Sequence, residues 1–142
     1  MKIARILLFV FVIIMTACGQ ATEEVVVDTW SNGSPKTINH YVIDGKDSLL
    51  LMQVSYYESG LKRLQGKFTD GYRDGRWRYW YEDGTLWVEG YYQKGARSGP
   101  VRYYHPNGEK KFKGYYENGI RTGVWKFWDE QGQELKVIDY DQ

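Results

Sequence analysis

Four series of glycines recur in this chain at a fixed step of 24 residues: Gly66, Gly90 and Gly114; Gly71, Gly95 and Gly119; Gly75, Gly99 and Gly123; and Gly60, Gly84, Gly108 and Gly132. Aromatic residues keep the same phase, as Phe68, Tyr92, Tyr116 and Tyr140, as Tyr79, Tyr103 and Phe127, and as Trp80, Tyr104 and Trp128. A chain with such a period builds one unit several times, and neighbouring copies bury what a single unit leaves bare. An earlier, worn copy is visible in Trp30 to Gly33, in Asp44-Gly45 and in Tyr56 to Gly60, with irregular spacing.

The unit reads as a β-hairpin. In the middle copy, Leu86 to Gln93 is strand-like, Lys94 to Gly99 is a loop with two glycines, and Pro100 to His105 is the return strand. Pro106-Asn107-Gly108 then makes a tight turn into the next copy, with Pro presetting φ and Gly taking the left-handed position of a type I turn with a glycine bulge. Gly84 and Gly132 occupy the same slot, while Gly71, Gly95 and Gly119 serve the other loop type. With 13 Tyr, 6 Trp, 5 Phe and 16 Gly, the composition suits strands joined by many turns. The expected fold is all-β: an antiparallel meander of about ten strands, elongated and twisted or curled, since no segment reads as a helix that would cover it.

Alternation sets the faces. Trp77, Tyr79 and Tyr81 point to one side, and Arg76, Arg78 and Trp80 to the other; Trp125 and Phe127 oppose Lys126 and Trp128. On the outgoing strands, Gly90 lies between Val88 and Tyr92, and Gly114 between Phe112 and Tyr116. A glycine between large residues leaves room for a side chain from the neighbouring strand, and Trp77, Val101 and Trp125 are expected to fill those spaces. The row Trp80, Tyr104 and Trp128 lies on the opposite face. Either curvature, dimerisation or the N-terminal segment covers it, or it is a ligand surface. Exposed aromatic rows suit sugar rings, peptides or protein partners. Trp80, Tyr104, Trp128, Arg76, Arg78 and Lys126 are therefore the partner-binding candidates, with Arg97 and Arg121 also bordering the aromatics.

The N-terminus carries a separate signal. Lys2 and Arg5 precede a ten-residue apolar run, Ile6 to Met15, followed by Thr16, Ala17 and Cys18. Ten residues span only about 15 Å as a helix, half of a bilayer core of roughly 30 Å, so residues 1–17 read as a signal peptide rather than a membrane span. The ending Met15-Thr16-Ala17-Cys18 resembles the bacterial lipobox, with Met where Leu is usual. That resemblance implies a diacylglycerol on Cys18, no other cofactor, and a lipid-anchored protein of the bacterial cell envelope, on the outer membrane at its periplasmic or surface side. Residues 18–24 then form the lipidated N-terminus and tether, 25–65 a degenerate hairpin region, and 66–142 three regular repeats. Cys18 is the sole cysteine, so packing and not a disulfide holds the fold.

Catalytic chemistry is not legible. The net charge is +1, and removal of residues 1–17 leaves 17 basic against 18 acidic residues, a balance with no general attraction for nucleic acid. Two histidines, His40 and His105, make a zinc site improbable, and no metal is expected. Asp70, Asp74, Glu82 and Asp83 fall in turns, where turn chemistry accounts for them.

The run from Gly114-Tyr115-Tyr116 through Gly119 and Gly123 to Trp125 and Trp128 resembles the bacterial variant of the MORN repeat. The first copy has Lys67-Phe68 for the tyrosine pair and Trp77; the second has Val101 in place of Trp. Coverage is about residues 40–142. The resemblance implies a membrane-associated or scaffolding repeat protein that acts as a binding surface. Proteins of this look are often labelled YwqK-type antitoxins, although a cytosolic antitoxin would not carry an export signal. The expected function is thus non-enzymatic binding of a protein or glycan partner, with an immunity-like role as a narrower version. The competing class is a structural spacer or assembly protein acting through sheet edges, with oligomeric state open; concentration-dependent oligomers would favour it.

Overall fold

In a computed structural model the structure describes residues 15–17 and 20–142. The strands are β1 (Met15–Ala17), β2 (Gln20–Thr29), β3 (Pro35–Asp44), β4 (Asp47–Tyr56), β5 (Lys62–Thr69), β6 (Tyr72–Trp80), β7 (Leu86–Gln93), β8 (Ala96–Arg97), β9 (Gly99–Tyr104), β10 (Lys110–Glu117), β11 (Ile120–Trp128) and β12 (Glu134–Asp139). They form one antiparallel sheet in chain order, with β8 off the path as a short partner of β7. The expected all-β meander is therefore observed, as an open sheet with β1 and β12 at its edges and no helix among the described residues. Of the signal peptide expected over residues 1–17, all but Met15–Ala17 falls outside the described residues, as does lipid attachment at Cys18. The segment expected as a tether up to Glu24 is strand from Gln20 onward.

Apart from the β3–β4 turn at Gly45-Lys46, where only Gly45 has positive φ, two turn types alternate along the sheet. The first recurs five times, with Trp30, Tyr57, Tyr81, His105 and Asp129 each accepting at the carbonyl from the amide of Gly33, Gly60, Gly84, Gly108 and Gly132. Those glycines have φ between 78° and 90°, the glycine-bulge geometry that the tripeptide Pro106-Asn107-Gly108 predicts. Trp30 to Gly33 is thus a genuine fifth copy, out of step only in spacing.

The second type is tighter than the expected loop of six residues. Asp70-Gly71, Lys94-Gly95 and Asn118-Gly119 are two-residue turns in which both residues have positive φ (52° and 77°, 48° and 86°, 50° and 85°). This is the type I′ hairpin, whose twist matches that of its strands. The glycines further on are bulges inside the return strand. Gly66 pairs with Trp77 and the next residue, Lys67, with Asp74, so Gly75 and Arg76 are left over. The same step recurs at Gly123, between Lys113↔Lys126 and Tyr115↔Thr122. Bulges bend a strand and increase its local twist. Around Gly99 the return strand breaks into β8 and β9, where Pro100 lacks the N–H that a ladder needs.

A side chain at Gly119 meets nothing within 4 Å, so the left-handed backbone alone demands glycine there. Gly119→Val should lower stability by about 1–2 kcal/mol. Thermal melts of the two proteins check this, and coincident curves would show that the turn relaxes at no cost.

The core is a stripe on one face of this single layer. Trp77, Val88, Val101 and Trp125 are buried there, both indoles fully so, while the buried Val54 pairs with Gln65 and, through it, with Arg78 on the other face. Each indole lies flat on the backbone of the adjacent strand. A Cβ built on Gly66 falls inside the ring of Trp77, and one on Gly114 inside the ring of Trp125. The indole N–H groups are satisfied by carbonyls, Trp77 to Lys67 at 3.1 Å and Trp125 to Thr122 at 3.2 Å. Trp77, Val101 and Trp125 do face the repeated glycines, as alternation predicts, but Val101 only touches the position of a Gly90 Cβ, at 3.4 Å.

Side chains also join consecutive copies. Tyr57 donates its hydroxyl to the carbonyl of Trp80 (2.7 Å), and Tyr81 donates to that of Tyr104 (2.9 Å). His105, only 8% exposed, places Nε2 at 3.0 Å from the carbonyl of Trp128. The histidine thus stands in for a tyrosine hydroxyl in a structural ladder.

Candidate functional site: a hollow on the aromatic face

The face bearing Trp77 and Trp125 carries a near-continuous lattice of rings. Trp77 meets Phe68 and Tyr92 edge-on at centroid distances of 5.3 and 5.9 Å. Trp125 meets Tyr116 and Tyr140 in the same manner at 5.1 and 5.8 Å. A second row runs Tyr79, Trp87, Tyr103, Phe112, Phe127, with Tyr103 stacked on Phe112 at 4.1 Å. Such edge and offset contacts contribute beyond the area they bury, about 0.5–1.5 kcal/mol a pair.

An arginine covers each indole. The guanidinium of Arg73 lies 4.3 Å from the ring centre of Trp77, and that of Arg121 lies 4.6 Å from Trp125. Arg97 holds the corresponding place in the middle repeat, but Val101 offers it no indole. It turns instead to hydroxyls, donating from Nε to Tyr92 (3.4 Å) and from an Nη to Tyr116 (3.3 Å). Burial works against its charge, yet the bonds to Tyr92 and Tyr116 and the nearby Tyr103 outweigh that, so its pKa rises and it stays a cation. For Tyr92, burial raises the hydroxyl pKa, but hydrogen bonds and charge from Arg97 and Arg73 prevail and lower it. Tyr79 moves the other way, with burial the dominant cause.

The missing indole leaves a hollow of about 250 Å³. Val101, Val88 and Gly90 form its floor, Trp77, Tyr79, Trp87, Tyr92, Tyr103 and Tyr116 its walls, and Arg73 and Arg97 stand at its rim. The arrangement combines ring faces, hydroxyls and two cations. Among the described residues neither arginine has a carboxylate within ion-pair distance.

The residues expected to bind a partner lie elsewhere. Tyr104 and Trp128 share a depression of about 300 Å³ with Glu109 and Lys110 between the turns, and Trp80 is not part of it. The flanking cations are already engaged. Arg76 and Arg102 reach the carboxylate of Glu89 at 3.8 and 3.0 Å, Lys126 that of Glu134 at 3.1 Å, and Arg78 lies over Trp80 at 5.7 Å. Of the border residues, Arg97 belongs to the hollow, and Arg121 covers Trp125. The glycines at 71, 84, 95, 108, 119 and 132 all take the positive φ expected of turn positions. The hollow is the site that sequence reasoning missed, although its signal, the valine at position 101 of a tryptophan series, is in the sequence.

Among the described residues no group of three His, Cys, Asp or Glu is placed to hold a metal ion. Turn carboxylates serve the backbone: Asp83 accepts from the amide of Thr85, and Asp129 from those of Gln131 and Gln133.

No curated protein matches this chain. Among solved structures, one described as "Crystal structure of GtfA/B complex bound to UDP and GlcNAc" is similar at 16% identity over 91% of this chain, with a TM-score of 0.29. This chain spans 24% of that one, and at such a score the two folds are not equated. The family model for the MORN repeat variant matches residues 73–94 and again residues 97–118. The two matched segments open on Arg73 and Arg97, so the model for the MORN repeat variant matches, one after the other, the two hairpins that flank the hollow.

Proposed function

We propose that this chain is a non-enzymatic binding module of the bacterial cell envelope, held there by lipid on Cys18, whose aromatic face docks a protein or glycan partner. The observation that carries the docking surface is the contrast between the two faces. On the Trp80 side Arg76 and Arg102 are paired with Glu89 and Lys126 with Glu134, whereas Arg73 and Arg97 border open ring faces with no acid in ion-pair distance among the described residues. Trp87, 42% exposed in the middle of the second ring row, offers the large amphipathic contact that anchors interfaces. Structural use of the turn carboxylates supports a non-catalytic role. The tether and envelope location rest on the lipobox-like ending at Cys18, and an immunity-like partner on the antitoxin-type resemblance.

The test compares saturable binding of the protein to an envelope fraction for wild type, Trp87→Ser, and the double replacement of Trp80 and Trp128 by Ser. Trp87→Ser should lower affinity at least about tenfold, while the double replacement leaves it within about threefold. The reverse order would move the docking surface to the other face, and absence of saturable binding would sink the reading.

One observation favours a second reading, assembly through sheet edges. Strand β12 ends the sheet, and its Leu135 and Val137 are 64% and 49% exposed. An unpaired edge of this kind can accept another strand, and oligomers that grow with concentration would support it.

A further inference from the structure

We infer that the hollow over Val101 is a receptor for one aromatic side chain of a partner polypeptide, presented beside an aspartate or glutamate; this rests on the reading that the aromatic face docks a partner. The shape argument comes from the chain's own repeats. At two of three equivalent places an indole lies against a repeated glycine, with an arginine over it: Trp77 on Gly66 under Arg73, and Trp125 on Gly114 under Arg121. The third place keeps the glycine, Gly90, and the arginine, Arg97, but not the ring. The glycine's open Cβ position serves no indole of this chain. What remains is about 250 Å³ walled by ring faces, a volume suited to one indole or phenol. A ring supplied from outside would restore the arrangement seen on either side.

The charge argument selects what accompanies the ring. Arg97 holds two long hydrogen bonds, at 3.4 and 3.3 Å, and lies over the ring of Tyr116 at 5.3 Å, but has no carboxylate partner among the described residues. Arg73 is engaged through Trp77 and the hydroxyl of Tyr79 at 3.3 Å. Two cations so placed favour an acidic neighbour, and a carboxylate on Arg97 would form the charge-assisted bonds its present partners do not. Trp87, one wall of the hollow, is 42% exposed and meets Tyr103 of the ring row at 6.5 Å, so the carrier of the ring can continue along that row. That geometry suits a polypeptide more than an isolated small acid.

The test uses the full chain, with the tripeptide acetyl-Asp-Trp-Asp-amide as probe, its indole carrying fluorine at position 5. Fluorine NMR reads binding, and the Val101 methyl resonances locate it. The tripeptide should bind with a Kd of about 1 mM and shift the Val101 methyls. The lysine-flanked counterpart should bind at least about tenfold more weakly, and Arg97→Gln should erase that difference. Val101→Trp, which supplies the ring in cis, should abolish binding while the protein stays folded.

Equal affinity for the two tripeptides would overturn the acidic partner. Unmoved Val101 methyls, or undiminished binding to Val101→Trp, would overturn the site. If indole-3-acetate bound as tightly as the tripeptide, the hollow would be a small-molecule site and the polypeptide reading would fall. Loss of envelope binding in Trp87→Ser but not in Val101→Trp would keep the docking face and remove only the hollow as its anchor.

Discussion

Gly114→Ala should cost about 3–5 kcal/mol, and Gly66→Ala about the same, while Gly90→Ala changes stability by no more than about 1 kcal/mol. One methyl is added at three positions of the same series, so the contrast isolates what faces each glycine. At Gly114 the new carbon would occupy the ring of Trp125, and at Gly66 that of Trp77. Trp125 cannot slide aside, because Phe112, Tyr116, Phe127 and Tyr140 surround it. The ring has to leave its seat, and the loss approaches that of removing a buried aromatic side chain. At Gly90 the neighbour is a Val101 methyl carbon at 3.4 Å, which a few tenths of an ångström relieve. Alanine there also costs less chain entropy than glycine, an offset of about 0.5–1 kcal/mol. With total stability typically about 5–15 kcal/mol, the first two variants should melt roughly 10 °C lower or fail to fold. Thermal and urea unfolding of the three variants measures this. Equal shifts at all three would mean that the glycines act through backbone freedom and not as seats for indoles.

How far such relations are legible in the sequence depends on whether the repeat makes them local. The glycine-bulge turns follow from residues within a few positions of one another, and they were readable down to the worn copy at Trp30 to Gly33. The indole seats were readable because glycine and tryptophan recur in register on adjacent strands. The six-residue loops were not. Lys94 adopts φ 48° with nothing in its side chain to announce it, so the two-residue turn and the bulge at Gly99 merged into one apparent loop.

The bonds from Tyr57, Tyr81 and His105 to carbonyls 23 residues on depend on the offset between stacked copies, which periodicity alone does not supply. Alternation placed Trp80 and Trp128 on the face opposite the core. It could not show that Glu89 pairs with Arg76 and Arg102, or Glu134 with Lys126. Val101 was visible as a departure from the pattern. It becomes a hollow only because the neighbouring rings hold their positions instead of collapsing onto it.

That last point has a quantitative form in a double-mutant cycle between positions 90 and 101. Val101→Trp alone should stabilise the protein by about 1–2 kcal/mol, the gain expected from filling an aromatic-walled cavity without new strain. The seat is preformed, since Gly90 leaves it open and Arg97 is in place to cover the new ring. Gly90→Ala alone is close to neutral. Combined, the two should not add. With tryptophan at position 101, a methyl at position 90 meets a ring as it would at Gly66 and Gly114. The double variant should therefore lie about 3–5 kcal/mol below Val101→Trp, a coupling well above the roughly 0.5 kcal/mol scatter of independent sites. Urea unfolding of the four proteins at one pH gives the cycle. Additivity within that scatter would mean that a tryptophan at 101 does not lie over Gly90, and that the middle repeat has no vacant indole seat. A strong coupling would show that the middle repeat keeps the glycine and the arginine of its neighbours around a ring it does not itself provide.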